Sequence, residues 1–310
     1  WPWLRRLLTV AFFILVGWLL VRGAREIEWA EVATALRERP LASLAPAAVV
    51  AAASYLVYGT YDLIGRRYAG HGLPTTRVMS IAFVSYAFNL NLGSLVGGIG
   101  FRHRLYSRLG LPDGQISRII AFSMLTNWSG YLLLGGIAFA LGRIDLPEDW
   151  NIGTGALRVV GLMLVAVAIA YLLLCTWSRK REWVIRGHTI DLPSGRMAAL
   201  QLLVSSLNWA LIALVCYLLL QRQIPYATVL QVLLVAAVAG LLTHVPGGLG
   251  VIEAVFLALL SHRLPPQQIL AGLLAYRGVY YLAPLALALV TYLVMEGRIG
   301  RAGAAAHGTA

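Results

Sequence analysis

The chain has 310 residues, of which 59% are hydrophobic, 31 are glycine and only 12% are charged, with a mean hydropathy of +0.76. This composition leaves too little polar surface for a water-soluble globule and excludes intrinsic disorder. The basic residues that give the net charge of +12 lie between apolar runs. They therefore indicate contact with lipid head groups and a fixed orientation in the membrane, and not nucleic-acid binding. The sequence therefore predicts an all-α polytopic membrane protein that forms a single transmembrane domain over 1–310.

Eight apolar runs are long enough to cross about 30 Å of hydrocarbon as helices. They lie near 7–21, 43–64, 78–96, 115–141, 156–177, 197–220, 227–243 and 267–295. The first run has no small-residue cleavage site, so we expect a retained anchor and not a signal peptide. Residues 26–39 carry apolar side chains at helical spacing among charges, which predicts an amphipathic helix in the membrane interface.

Two short glycine-rich stretches, 97–112 and 246–263, interrupt this series of spans. The first contains Gly97-Gly98-Ile99-Gly100, which matches Gly247-Gly248-Leu249-Gly250 at an offset of 150 residues. A Leu-Pro pair and a Gln follow each motif in the same order. We interpret these matches as an internal duplication, with repeat one at about 1–145, repeat two at about 150–298 and a disordered cytoplasmic tail at 299–310.

The basic residues predict an orientation for the chain. The loop after the fifth span carries five basic residues and is expected in the cytoplasm, whereas the loop after the fourth span carries three acidic residues and is expected outside. Arginines near both ends place the N- and C-termini in the cytoplasm. These assignments agree only if each glycine-rich segment and the span before it make no net crossing, whether both cross or both are re-entrant. The two repeats then have inverted topology, which is a transporter architecture.

The two glycine motifs are candidate phosphate sites. Glycines allow turns with φ > 0, in which successive backbone N–H groups form an anion-binding concavity, and helices that restart after each motif add their positive ends. The alternative is that the small residues only allow close helix packing. The residues concerned are Gly97, Gly98 and Gly100 in the first motif and Gly247, Gly248 and Gly250 in the second.

Charged residues near the motifs are the next candidates. Arg102 and Arg104 follow the first motif, and their guanidinium groups suit phosphate oxygens, although an interfacial basic cluster is the alternative. Arg277 lies ten residues inside the last apolar run, so it should face a cavity or a partner such as Glu253. Glu253 and His244 are candidates for proton coupling, with a helix N-terminal carboxylate and a hydrogen-bonded buried histidine as the respective alternatives.

Further polar residues lie within the spans. Asn127 and Tyr281 are head-group candidates because the offset of 150 residues pairs Asn127 with Arg277 and Tyr131 with Tyr281. Asparagines at these depths act either as hydrogen-bonding groups between helices or as head-group contacts. Asp62, near the end of the second span, is expected at the interface.

The runs 97–112, 126–128, 248–256 and 274–277 closely resemble the family of the transmembrane, flippase-like domain of lysylphosphatidylglycerol synthases. The resemblance implies a lipid-handling protein of about eight spans with two inward-dipping segments. It also implies lipid-path roles for Arg102, Arg104, Asn127, Glu253 and Arg277. In the synthases a soluble domain makes the aminoacylated lipid and the membrane domain moves it. Only about 15 residues follow the last span here, so synthase activity is not expected.

The sequence thus predicts a lipid translocator, which moves a phospholipid or a modified anionic lipid between leaflets of the bacterial inner membrane through a polar cavity between the repeats. It contains no GxxxxGK[ST] loop, no metal-ligand spacing and no G-x-S-x-G motif, so we expect no enzyme, cofactor or metal site. The alternative is a non-transporting membrane scaffold that presents lipid to a partner enzyme or transport system. Membrane phospholipids are the expected partners, and a lipid-modifying enzyme is a further candidate.

Overall fold

The computed structural model describes residues 14, 18, 21, 25, 29–141, 154–185, 188–243 and 245–307. Its α-helices are α1 (Trp29–Glu38), α2 (Leu41–Ala69), α3 (Thr75–Leu92), α4 (Arg102–Arg108), α5 (Asp113–Leu141), α6 (Thr154–Trp177), α7 (Gly195–Leu219), α8 (Tyr226–Thr243), α9 (Val251–Leu260), α10 (Pro266–Tyr276) and α11 (Ala283–His307). Two π-helices, Ser94–Phe101 and Arg277–Leu282, and a 3-10 turn, Pro246–Gly248, lie between them. A short antiparallel hairpin joins β1 (Glu182–Ile185) to β2 (His188–Asp191), with Glu182 opposite Asp191.

Among the described residues, six helical segments are long and apolar enough to cross a membrane, and the chain is accordingly a multi-pass membrane protein. They are Leu41–Ala69, Asp113–Leu141, Gly155–Trp177, Gly195–Leu219, Tyr226–Thr243 and Pro266–Gly297, and they coincide with six of the eight predicted spans. The predicted span at 78–96 corresponds to α3 and the start of the first π-helix, and α3 is more polar because it contains Arg77, Asn89 and Asn91. The predicted span at 7–21 lies almost wholly outside the described residues.

The helix order repeats along the chain. The segments α2–α5 and α7–α11 have the same order of elements: a long helix, an 18-residue helix, a glycine-containing break, a short helix and a long helix. The helix Tyr226–Thr243 lies 151 residues after Thr75–Leu92. The two sets are packed crosswise, because α3 packs on α11, α8 packs on α5, and α2 and α7 pack along each other.

Polar contacts join the packed helices inside the apolar bundle. Ser54 of α2 donates a hydrogen bond of 2.7 Å to Asn208 of α7. Tyr131 of α5 donates one of 2.9 Å to the Leu234 carbonyl of α8, and Gln231 donates one of 2.6 Å back to the Ala138 carbonyl. Such bonds satisfy polar groups that have no access to water at membrane depth.

Three regions outside the bundle core bear on the predictions. The amphipathic helix predicted at 26–39 is present as α1. The loop after α6 contains the β-hairpin, which we did not predict and which Arg118 and Tyr68 hold through an ion pair and a hydrogen bond to Asp191. The last helix continues to His307, where the sequence predicts a disordered tail, because Ala302 and the three alanines at 304–306 favour helix. Residues 308–310 lie outside the described part.

Close backbone approach at Gly97 leads to a prediction about stability. A Cβ atom there would lie 2.0 Å from the Asn89 backbone nitrogen, so Gly97→Ala is expected to lower the free energy of unfolding by at least about 3 kcal/mol. The matched control is Gly114→Ala in the first turn of α5, which meets nothing within 4 Å and should be neutral or stabilising by up to about 1 kcal/mol. Denaturant unfolding in detergent compares the two; equal stabilities would contradict the packing of Gly97 against α3.

Candidate functional site

A cavity of about 330 Å³ lies between the two sets of helices, and both glycine motifs reach it. Its aromatic and polar lining is contributed by Tyr58, Tyr86, Asn89, Ser94, Arg102, Asn127, Trp128, Trp209, Tyr276, Tyr280 and Tyr281. Aliphatic side chains such as those of Ile212 and Leu233 complete the wall. A cavity with few polar groups and many aromatic ones is typical of a site for a small or amphipathic ligand.

The structure brings six of the predicted site residues to this cavity, and the other described ones lie outside its lining. Those at the cavity are Gly98, Arg102, Asn127, Gly247, Gly248 and Tyr281. Those outside its lining are Gly97, Gly100, Arg104, Gly250, Glu253 and Arg277. His244 lies outside the described residues.

The first glycine motif differs from the conformation that the sequence predicts. The chain breaks at Gly93, with φ of 84°, and then doubles back along α3, so that Phe88 stacks on Phe101 with ring centroids 4.0 Å apart. Gly97, Gly98 and Gly100 lie within the π-helix and have no positive φ, so the predicted left-handed turn over these glycines is wrong. The small size of Gly97 and Gly98 is needed instead for the close contact with Asn89, since a Cβ atom on Gly98 would lie 2.9 Å from the Asn89 side-chain oxygen.

The second glycine motif has the predicted conformation. Gly247, Gly248 and Gly250 have φ of 66°, 58° and 77°, values that glycine adopts at low cost. The turn lies against the end of α3, because a Cβ atom on Gly247 would be 3.2 Å from the Leu90 carbonyl oxygen. The breaks in the two halves therefore meet at one place, beside the cavity.

Arg102 is the centre of the first arginine cluster, which we define as Arg102, Asp62, Tyr58, Tyr106 and Ser123. The Arg102 side chain is 2% exposed, and its Nε donates to Asp62 Oδ2 over 3.1 Å. Its terminal nitrogens donate to the Gly98 carbonyl (3.1 Å), the Tyr58 hydroxyl (3.2 Å) and Ser123 Oγ (3.2 Å). Tyr106 donates to the same Asp62 oxygen over 3.0 Å.

Arg277 is the centre of the second arginine cluster, which we define as Arg277, Glu253 and Tyr281. Arg277 donates two hydrogen bonds to Glu253, with Nε 2.5 Å from Oε1 and Nη2 2.9 Å from Oε2. Two more, each 3.1 Å, go to the carbonyls of Gly247 and Gly248. The ion pair with Glu253 that the sequence allowed as an alternative is thus present, and the arginine ties α9 and the glycine turn to the last helix.

The two clusters are chemically alike. In each, an arginine pairs with a carboxylate, donates to a carbonyl of a glycine motif and lies near a tyrosine ring, at 5.6 Å for Arg102 and Tyr58 and 5.5 Å for Arg277 and Tyr281. Each carboxylate compensates a charge that would be costly to bury alone. Arg104 belongs to a separate group midway along α11, where it contacts Tyr292 and Glu296.

Two carboxamides face the cavity, those of Asn89 and Asn127. Within the described part of the chain, the side chains of Asn89 and Asn127 have no hydrogen bond to protein, although the Asn127 carbonyl accepts from Trp209 and Ser205. A carboxamide offers two N–H donors and one acceptor oxygen. Together with Arg102 they give the cavity wall groups suited to phosphate or ester oxygens. Among the described residues, no three His, Cys, Asp or Glu side chains lie together as metal ligands would.

The buried tyrosines and the burial of Asp62 were not predicted from the sequence. The Tyr280 hydroxyl lies 2.7 Å from Ser54 Oγ and 3.0 Å from the Tyr86 hydroxyl, and Tyr58 stacks on Tyr86 with centroids 3.6 Å apart. Asp62 is fully buried, not interfacial, because Arg102 draws it into the bundle. One signal was available, since Asp62 is the only acidic residue within the eight predicted spans.

Comparison with known proteins identifies the family of the chain. The family model described as lysylphosphatidylglycerol synthase TM region matches residues 6–288. The chain is 44% identical to the inner membrane protein YbhN of Escherichia coli over 299 residues, 96% of this chain and 94% of that protein. It is 32% identical to an uncharacterized protein of Synechocystis, over 83% of this chain and 80% of the relative. It is 28% identical to the phosphatidylglycerol lysyltransferase of Staphylococcus haemolyticus, but spans only 27% of that enzyme. The predicted resemblance is confirmed: the chain belongs to the lysylphosphatidylglycerol synthase transmembrane region family.

Proposed function

We propose that this protein is a lipid translocator that moves a phospholipid or modified anionic lipid between the leaflets of the bacterial inner membrane. The observation that carries the proposal is the cavity between two sets of helices of the same order, with a glycine break of each set at its wall. Irregular backbone at membrane depth is tolerated where it is covered by protein or lines a polar cavity. In transporters built from repeats, the substrate site lies at the repeat interface.

The proposed topology has eight spans, two re-entrant segments and both termini in the cytoplasm. The reversal of the chain at Gly93 supports a re-entrant segment after α3, and the glycine turn between α8 and α9 supports its counterpart after α8. The crosswise packing of the halves supports a pseudo-two-fold relation between inverted repeats. The name of the Escherichia coli relative supports the inner membrane as the location.

In the proposed mechanism the lipid phosphate binds at the cavity wall formed by Arg102, Asn89 and Asn127, while the acyl tails remain in the bilayer. Tyr281 and the glycine turn form the opposite wall, which Arg277 holds in place through the Gly247 and Gly248 carbonyls. Rocking of the two halves would expose the site to either leaflet. The names of the lysyltransferase relatives support phosphatidylglycerol or a derivative as substrate, and we propose transport and not synthesis for this chain.

Filling the cavity tests this function without removing a charge. Ala237 of α8 lines the cavity, and Ala237→Trp is expected to reduce leaflet exchange of fluorescent phosphatidylglycerol in proteoliposomes by at least about tenfold, since it removes room for the head group. The matched control is Leu162→Trp on α6, where the native side chain is 57% exposed on the outer face of the bundle. That variant should exchange lipid like the unaltered protein.

The results separate the candidate functions. Exchange that depends on the protein and is blocked only by the cavity substitution would establish translocation, and a parallel assay with zwitterionic phosphatidylcholine would rank the substrates. Equal exchange in both tryptophan variants would place the lipid path elsewhere. No exchange by the unaltered protein, with or without a pH gradient, would reject the translocator and leave the lipid-presenting scaffold.

A further inference from the structure

We propose that Asp62 is a proton-binding site coupled to the lipid site, and that a proton on Asp62 and a lipid phosphate on Arg102 bind together. The inference rests on the proposed function and deepens it by naming the coupling ion and the residue that carries it. It concerns the first arginine cluster only and assigns the second a different, structural role.

The two oxygens of the Asp62 carboxylate have unequal surroundings. Oδ2 accepts from Arg102 and from Tyr106, at 3.1 and 3.0 Å. Oδ1 is equally buried but has no hydrogen-bond donor among the described residues. A buried charged oxygen without a donor is costly, and a proton bound to that oxygen removes the charge. Asp62 therefore has a position ready for a proton.

Glu253 provides the contrast within the same molecule. Both of its oxygens accept from Arg277, in a two-point pair that leaves no oxygen unbonded. A proton on either oxygen would break one of these charge-assisted bonds. Glu253 is thus held as a permanent partner, whereas Asp62 can take up a proton on Oδ1 while Oδ2 keeps its two donors.

Coupling to lipid follows from the position of Arg102. Its side chain lines the cavity, and Asp62 is the carboxylate that compensates its charge. With Asp62 ionised, a phosphate entering the cavity meets a guanidinium already paired with an anion. With Asp62 neutral, the same guanidinium has an uncompensated charge and attracts the phosphate more strongly. By linkage, the bound phosphate then favours the proton on Asp62 to the same extent.

Titratable and charged groups from several elements surround Asp62. Tyr58 and Arg66 lie on the same helix as Asp62, and Arg102 and Tyr106 lie on α4. Ser123 of α5 accepts a hydrogen bond from Arg102, and Tyr86 of α3 stacks on Tyr58. Tyr106 also contacts the ring of His71 in the loop, with centroids 5.9 Å apart. Burial and the charge of Arg66 lower the pKa of His71.

The experiment measures binding of a short-chain phosphatidylglycerol to the full chain in detergent over a pH series. The affinity of the unaltered protein is expected to rise as the pH falls, by at most about tenfold per pH unit, the limit for one linked proton. In Asp62→Asn the affinity should be independent of pH over the same series. The matched control, Glu296→Gln in the Arg104 group away from the cavity, should keep the pH dependence of the unaltered protein. A pH dependence that survives in Asp62→Asn would overturn the proposal.

A second measurement needs no variant, because Asp62→Asn removes one member of a buried pair and can unfold the protein. Calorimetric titrations in buffers of different ionisation enthalpy give the number of protons taken up per lipid bound. We expect about one proton with phosphatidylglycerol and none with a short-chain diacylglycerol, which lacks the phosphate. No uptake with phosphatidylglycerol would reject the coupling even in a protein that exchanges lipid, whereas uptake without leaflet exchange would reject the translocator and retain a proton-linked lipid site.

Discussion

Replacing Arg102 with alanine is expected to lower the free energy of unfolding by about 3–5 kcal/mol, because it leaves the fully buried Asp62 without its counter-charge. The carbonyl of Gly98 and the Tyr58 and Ser123 hydroxyls would lose the guanidinium contact as well. Arg104→Ala is the matched control two residues away, and its effect should be smaller because Arg108 also pairs with Glu296. Denaturant unfolding in detergent measures both.

A double substitution separates the charge from the shape of this side chain. Arg102→Met combined with Asp62→Leu removes both charges and keeps most of the buried volume, so it should recover most of the stability that Arg102→Ala loses. Lipid exchange should stay low in the double variant, since the cavity wall has then lost its guanidinium. Arg102→Ala and Arg104→Ala proteins of the same stability would show that the pair with Asp62 does not stabilise the fold.

Arg277→Gln is expected to destabilise the protein by about 3–5 kcal/mol and to reduce lipid exchange at least about tenfold. The substitution leaves Glu253 with no cation and withdraws two donors from the glycine turn that forms one cavity wall. The companion is the double variant Arg277→Gln with Glu253→Gln, in which no charge is left uncompensated. It should regain most of the stability but not the exchange rate, because glutamine cannot hold both carbonyls of the turn.

Leaflet exchange and unfolding are measured on the same protein preparations, so that lost activity is not mistaken for lost fold. If the double variant exchanges lipid at the rate of the unaltered protein, Arg277 contributes to stability alone and has no part in shaping the lipid path. If the single variant is as stable as the unaltered protein, the two-point pair with Glu253 does not form.

Sequence reasoning succeeded where the signal is local. Long apolar runs predict six of the helices because hydrocarbon requires about 20 apolar residues per span. The pair of Arg277 and Glu253 was foreseeable, since a charge inside an apolar run needs a partner and Glu253 was the acidic residue near the second motif. The left-handed glycines at 247, 248 and 250 follow from their clustering after Pro246.

Other features depend on tertiary packing that one sequence does not encode locally. Asp62 and Arg102 are 40 residues apart and meet only because the chain doubles back after Gly93. The first glycine motif looks like the second in sequence, yet its chain winds as a π-helix because it must pack directly on Asn89. The tyrosine hydroxyls come from α2, α3 and the second π-helix, and no spacing within any one of them reveals the contact.

The two π-helices have a mechanical consequence for the arginines. One ends at Phe101, directly before Arg102, and the other begins at Arg277. A π-helix holds more residues per turn than an α-helix, so tightening either segment to α-helical winding would displace the adjoining helix by one residue, a rotation of about 100°. Such a shift would swing Arg102 away from Asp62, or Tyr281 away from Arg277, while each following helix kept its own hydrogen bonds. Each guanidinium therefore lies beside a segment in which a change of winding by one residue would break the contact between paired side chains.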